Sequence, residues 1–220
     1  MIRQFEKFLS DEQLQVLNAV LDKTVFVDGA ATAGVAARRV KNNLQAKAAQ
    51  PGTDQAQEIF AKAVMQSTEF RNFALPLHVL PPLFSRYETG MGYGEHTDNA
   101  LMSGTRTDLA MTLFLSPPES YDGGELVIDV DREPRRIKLA AGAAVVYPAS
   151  SLHRVETVTR GRRQVAVTWI QSMLRDAGQR EIINDLSRVI NAIRDKQPDA
   201  QDALLLSRTR ANLLRMWADT

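Results

Sequence analysis

The chain has 220 residues, enough for one large domain or a domain with extensions, and its 27 lysines and arginines stand against 26 acids, so net charge marks no nucleic-acid or membrane-surface partner. With no cysteine there is neither a disulfide framework nor a thiolate metal site. An acid interrupts the N-terminus Met1-Ile2-Arg3-Gln4-Phe5-Glu6, no apolar core comes after it, and no stretch approaches the roughly 20 apolar residues of a membrane helix, so the expectation is a soluble, cytoplasmic protein.

Ser10-Asp11-Glu12-Gln13 reads as a helix start. Ser10 can cap, with Gln13 three residues later as in a capping box. Leu14, Leu17, Val20 and Leu21 then mark one apolar face. Asp28-Gly29 is a turn signal. The Ala-rich stretch from Val35 to Gln50 is expected to be partly helical, with Pro51-Gly52 breaking it. Thr53 or Asp54 then caps a helix to about Ser67, with Ile59, Phe60, Ala63 and Val64 inward. Residues 1–75 are thus expected to form a helical layer that supports a sheet.

From about His78 the pattern becomes strand-like. Leu80 to Tyr87 reads as a strand, with Pro81-Pro82 at its edge or before it. Further short strands are expected at Asp108–Leu115, Glu125–Val130, Arg136–Leu139, Ala143–Tyr147, His153–Val158 and Arg163–Gln171. At least seven short strands between Gly, Pro and Asp signals argue a sandwich or barrel, and a jelly roll fits. Gly123-Gly124 reads as a turn that needs no chemistry. Residues 76–174 are expected to be this core. In residues 175–220, Asp176 to Arg194 places Ile182, Ile183, Leu186, Val189, Ile190 and Ile193 on one face. Pro198 favours a new helix start, and Leu204, Leu205, Leu206, Leu213, Leu214 and Trp217 make a second stripe. That helical pair packs on the barrel or forms a homo-oligomer interface.

The chemistry centres on Tyr93-Gly94-Glu95-His96-Thr97-Asp98-Asn99. In extended chain, the period of two puts His96 and Asp98 on one face. The chain has three histidines, and only His153 lies beyond this box. Two imidazoles and one carboxylate on one face of a metal are the facial triad of non-haem Fe(II) oxygenases. Arg163 lies ten residues after His153, past a turn at Arg160-Gly161-Arg162. A hairpin would bring the two to one end of the barrel, where the planar guanidinium can bind a carboxylate. Alternation puts Val165, Val167 and Trp169 on the face of Arg163 and Arg162, Gln164, Ala166 and Thr168 on the other. His78 falls outside the motif and is expected to be structural. Asn99 to Thr107 is a surface loop or a lid.

These residues carry a resemblance. Arg86 to Asn99, Tyr121-Asp122-Gly123-Gly124-Glu125-Leu126, Tyr147 to Val155, Thr159 to Ser172 and Lys41-Asn42-Asn43-Leu44-Gln45 resemble the Fe(II)- and 2-oxoglutarate-dependent dioxygenases of the prolyl/lysyl hydroxylase-like group, and within it the bacterial PKHD-type hydroxylases, the PiuC family. The resemblance implies an α+β fold with a double-stranded β-helix (jelly-roll) core between an N-terminal helical layer and C-terminal helices. It implies Fe(2+) on His96, Asp98 and His153, with 2-oxoglutarate paired to Arg163 and Tyr87 lining its pocket. O2 would be the second cosubstrate and L-ascorbate (vitamin C) a reductant. The implied reaction hydroxylates a C–H bond and releases succinate and CO2. The primary substrate that the resemblance implies is a prolyl or lysyl residue of a peptide or protein, with a small molecule as the open alternative; the PiuC likeness implies a link to iron uptake. Two other readings stand beside it. A non-catalytic metal and 2-oxoglutarate sensor barrel would release no succinate. A nucleic-acid demethylase would need a basic stripe with aromatics, which this chain does not show.

Overall fold

The computed structural model describes residues 2–32, 38–130 and 133–219. Two antiparallel sheets face each other as a jelly roll. The major sheet runs β1 (Arg3–Phe5), β14 (Ala144–Pro148), β10 (Leu109–Phe114), β16 (Val158–Ser172), β6 (Leu83–Glu88), β4 (Leu44–Ala46) and β2 (Phe26–Asp28). Strands β5 (Pro76–Val79) and β11 (Tyr121–Gly123) also pair with β16. The minor sheet runs β13 (Glu133–Ile137), β12 (Leu126–Val130), β15 (His153–Val155), β7 (Gly92–His96) and β3 (Lys41–Asn42). A separate ribbon joins β8 (Leu101–Met102) to β9 (Thr105–Arg106).

The long strand β16 organises both cores, because its two faces alternate. Ala166 and Ile170 point out to a layer of helices and join a core with Phe60, Phe70 and Phe84. Val165, Val167 and Trp169 point in, as the alternation predicts, and pack with Phe114, Tyr121 and Tyr147 between the sheets.

The outer layer is built by α1 (Asp11–Asp22), α2 (Pro51–Gln66) and α3 (Thr68–Ala74). Ser10 and Gln13 make the expected capping box on α1, whose Leu17 and Leu21 are fully buried while Leu14 and Val20 are partly so. Pro51 does not break a helix. It starts α2, since its fixed φ and missing N–H fit a first turn, and Gln50 is the N-cap instead of Thr53 or Asp54.

The partly helical expectation for Val35 to Gln50 is met only at Arg38, which is helical, while the rest of the described stretch is turn and strand. Residues 33–37 lie outside the described residues, but Lys41–Asn42 and Leu44–Ala46 are strands. Alanine content favoured a helix, whereas pairing of this segment with β7 and β6 decides for strand. The first third is therefore helices and strands together.

At the other end, α4 (Ala177–Lys196) and α5 (Gln201–Trp217) pack on each other and on Leu75 and Leu174. Asp176 caps α4 by accepting from the Gln179 N–H. The apolar stripes are narrower than expected. Ile182, Val189, Leu204 and Leu205 are exposed, while Ile183, Ile190 and Ala203 are buried. Pro198 sits in the connecting turn, ahead of a helix that begins at Gln201.

Candidate metal centre and dicarboxylate pocket

His96 and His153 are directly opposite each other across β7 and β15. Their rings lie 4.2 Å apart between centroids. Asp98 comes just after the end of β7, and its Oδ2 lies 4.0 Å from His153 Nε2. One ligand atom from each of the three residues falls within 4.8 Å of the others, the only such cluster of at least three His, Cys, Asp or Glu among the described residues.

The two imidazoles are oriented alike. His96 Nδ1 lies 2.8 Å from the Gly94 carbonyl oxygen and His153 Nδ1 lies 3.0 Å from that of Ser151. A carbonyl only accepts, so Nδ1–H donates in each, and in the neutral form of either ring the lone pair is on Nε2. Burial, then the neighbouring His153, pushes the His96 pKa down to about 4 in the metal-free protein. His96 is therefore neutral at neutral pH, and a metal need not displace its proton. Tyr93 stacks on the His96 ring at 3.6 Å and fixes its plane.

Asp98 completes the case for a cation. Burial raises its pKa, with His153 and the Trp169 indole N–H acting in the opposite direction. Its Oδ2 is buried with no hydrogen-bond partner. An unpartnered buried carboxylate oxygen is costly, and a cation between it and two imidazole lone pairs satisfies it. The two nitrogens and one carboxylate suit Fe(II).

A cavity of about 400 Å³ opens beside this cluster, and Arg163 lines it. Arg163 is 1 % exposed, yet Nε and Nη1 have no hydrogen-bond partner and it makes no ion pair with any described residue. Its guanidinium lies 5.0 Å from the Tyr87 ring and 5.5 Å from the Phe114 ring. A buried guanidinium without an anion leaves much of its desolvation cost uncompensated, and a carboxylate ligand supplies what the fold withholds.

The expected hairpin between His153 and Arg163 does not form. After β15 the chain crosses from the minor to the major sheet, and Arg163 lies inside β16, opposite Tyr87 on β6. The two residues face one cavity from opposed sheets. That arrangement leaves room for a small molecule between them.

Gly123-Gly124 also does more than turn the chain. Both residues have positive φ, +71° and +67°. A Cβ on Gly124 would lie 3.0 Å from Arg163 Cδ and from Val158 Cγ2. Gly124→Ala is expected to cost about 1–2 kcal/mol from the left-handed backbone. It is also expected to weaken anion binding at Arg163, because it crowds that side chain. Thermal unfolding together with ligand titration checks both, and a variant with unaltered affinity would detach Gly124 from the pocket.

The structure places Tyr87 and Tyr93 differently. Tyr87 is buried beside Arg163, whereas Tyr93 belongs to the His96 stack. Trp169 lines the cavity near Asp98. Residues 99–107 form the β8–β9 ribbon, with Ser103 and Gly104 at its turn (φ +50° and +79°). Leu101, Met102 and Ser103 border the cavity from this ribbon. Its base is pinned, since Arg106 pairs with Asp108 at 2.8 Å and Asp219 at 2.9 Å. His78 is exposed on β5, away from the cavity. Sequence reasoning missed Asn43, Gln45, Thr112 and Tyr147 as lining residues. Reading Lys41 to Gln45 as extended would have found two of them, since alternate residues then share a face.

Comparison with known proteins places the chain in a family. Residues 82–171 match the model of the 2OG-Fe(II) oxygenase superfamily, and residues 177–219 match the PKHD-type hydroxylase C-terminal domain. The chain is 45% identical over 219 residues to a PKHD-type hydroxylase of Maricaulis maris, covering 100% of both chains. It is 43% identical over 225 residues to one of Thermosynechococcus vestitus, again covering 100% of both. Among solved structures it is similar to a Trichoplax adhaerens prolyl hydroxylase in complex with a hypoxia inducible factor oxygen degradation domain peptide fragment. The TM-score is 0.60 at 16% identity, covering 84% of this chain and 86% of that one. A Pseudomonas putida prolyl-4-hydroxylase is similar at TM-score 0.53 and 19% identity, covering 78% of this chain and 92% of that one.

Proposed function

We propose that this chain, which belongs to the PKHD-type hydroxylases within the 2OG-Fe(II) oxygenase superfamily, holds Fe(II) with His96, Asp98 and His153 and 2-oxoglutarate with Arg163, and hydroxylates an unactivated C–H bond. When bound, iron with 2-oxoglutarate and O2 supplies the chemistry: oxidative decarboxylation to succinate and CO2, coupled to transfer of one oxygen atom into the substrate. The protein's share is positioning. Nδ1–H bonds to Gly94 and Ser151 aim both Nε2 lone pairs at the metal position. Asp98 adds the carboxylate that completes the two-histidine, one-carboxylate set. Arg163 meets the distal carboxylate, and Tyr87 lines that pocket.

The observation that carries this reading is the pair of orphaned buried groups facing one cavity, a carboxylate oxygen at Asp98 and a guanidinium at Arg163. One molecule with a chelating 2-oxo acid at one end and a carboxylate at the other answers both. The primary substrate we propose is a prolyl- or lysyl-type residue in a peptide, or a small molecule of like C–H chemistry. The peptide complex of the Trichoplax adhaerens neighbour supports the first.

Aerobic incubation with Fe(II) and 2-oxoglutarate is expected to release succinate, faster once substrate is present. If metal and 2-oxoglutarate bind but no succinate forms with any prolyl or lysyl peptide or small-molecule candidate, the barrel is a sensor and the proposal fails.

A further inference from the structure

Asn43 is 2 % exposed and lines the cavity, yet both ends of its side-chain amide lack a hydrogen-bond partner. It sits where the chain passes from β3 in the minor sheet to β4 in the major sheet. The strand register shows what it faces. Gln45 is opposite Ser85 and Leu44 opposite Arg86, so the next step puts Asn43 opposite Tyr87. Tyr87 is in turn opposite Arg163. Asn43, Tyr87 and Arg163 thus form one row on the inner face, three strands wide and about 10 Å across.

The side chain is also held in place. Its backbone carbonyl accepts from the Gly29 N–H at 2.9 Å, and a Cβ at Gly29 would come within 2.0 Å of Asn43 Oδ1. One end of the amide is therefore boxed against a residue with no side chain. The other end is left toward Tyr87, close enough to act on the ionisation of its hydroxyl. An amide N–H, a phenol O–H and a guanidinium are all donors. Three donors in one buried row, with no carboxylate among them, suit an anion with several oxygens.

We propose that Asn43 is a cosubstrate-binding residue: its side-chain N–H joins Tyr87 and Arg163 on the distal carboxylate, and its bulk sets the length of dicarboxylic 2-oxo acid that the pocket accepts. This rests on the reading of the cavity as a 2-oxoglutarate site.

The test is anaerobic calorimetric titration of the Fe(II)-loaded full chain with 2-oxoglutarate and with 2-oxoadipate, which is one methylene longer. Asn43→Asp keeps the shape but sets a carboxylate against the ligand's own. It is expected to weaken 2-oxoglutarate at least about 30-fold, in line with the cost of like charges brought together in a buried site. Fe(II) affinity should not change. Asn43→Ser loses bulk and moves the polar group back. It is expected to weaken 2-oxoglutarate by about tenfold while narrowing its advantage over 2-oxoadipate by a similar factor. Circular dichroism confirms folding, and either variant alone is sufficient. Equal weakening of both acids by Asn43→Ser, or wild-type 2-oxoglutarate affinity in either folded variant, overturns the assignment. A wild-type protein that binds Fe(II) but neither acid overturns the cosubstrate reading itself, and the assignment with it.

Discussion

Asp98→Ala is expected to abolish turnover and to lower Fe(II) affinity by more than about 100-fold. Losing a group that merely supports a ligand costs about 10–100-fold in metal affinity, and Asp98 is proposed as a ligand itself. It also supplies the carboxylate in a cluster whose other members are imidazoles oriented by the Gly94 and Ser151 carbonyls. Its Oδ2 makes no hydrogen bond within the protein, so the substitution should leave the fold intact. Equilibrium dialysis against Fe(II), read beside circular dichroism, separates lost metal from lost structure. A folded variant with full activity would remove Asp98 from the metal site.

Arg163→Met carries the second large effect, and it has two signs. Truncating one partner of a buried, hydrogen-bonded charge pair costs about 2–5 kcal/mol, so the 2-oxoglutarate requirement should rise by about 100-fold. The ligand-free protein should behave in the opposite way. Arg163 is 1 % exposed with Nε and Nη1 unpartnered, and replacing a poorly compensated buried charge by an apolar side chain of similar length is often neutral or stabilising. The midpoint of thermal unfolding without ligand is therefore expected to hold or rise, while the stabilisation added by 2-oxoglutarate disappears. An unchanged 2-oxoglutarate requirement would move the carboxylate site elsewhere. A large loss of stability without ligand would make Arg163 a structural group.

Much of the site was legible because it is local in sequence or strictly periodic. His96-Thr97-Asp98 is a tripeptide, and the inward face of β16 comes from alternation alone. The third ligand candidate, His153, came from counting histidines. What stayed hidden depends on pairing between distant strands. The Lys41 to Gln45 segment is short and borders an Ala-rich stretch, so local propensity misled until β6 and β7 supplied its partners. Asn43 therefore went unseen, although its alternation with Lys41 and Gln45 was in plain view. The contact of Gly124 with Arg163 was hidden for the same reason, since 39 residues separate them along the chain. A sheet change between His153 and Arg163 is likewise invisible in a spacing of ten residues, because a hairpin and a crossover can use the same length. The C-terminal stripes were over-read because helical periodicity cannot tell which apolar residues a neighbour covers.

The most direct measurement is the visible spectrum of the protein mixed with Fe(II) and 2-oxoglutarate without oxygen. A chelating 2-oxo acid on iron held by two imidazoles and a carboxylate gives a metal-to-ligand charge-transfer band. The account predicts that band in the wild type, its loss in Asp98→Ala, and its shift to higher 2-oxoglutarate concentration in Arg163→Met. Metal bound without a band at any 2-oxoglutarate concentration would contradict the account, and His96, Asp98 and His153 would then serve some other metal chemistry.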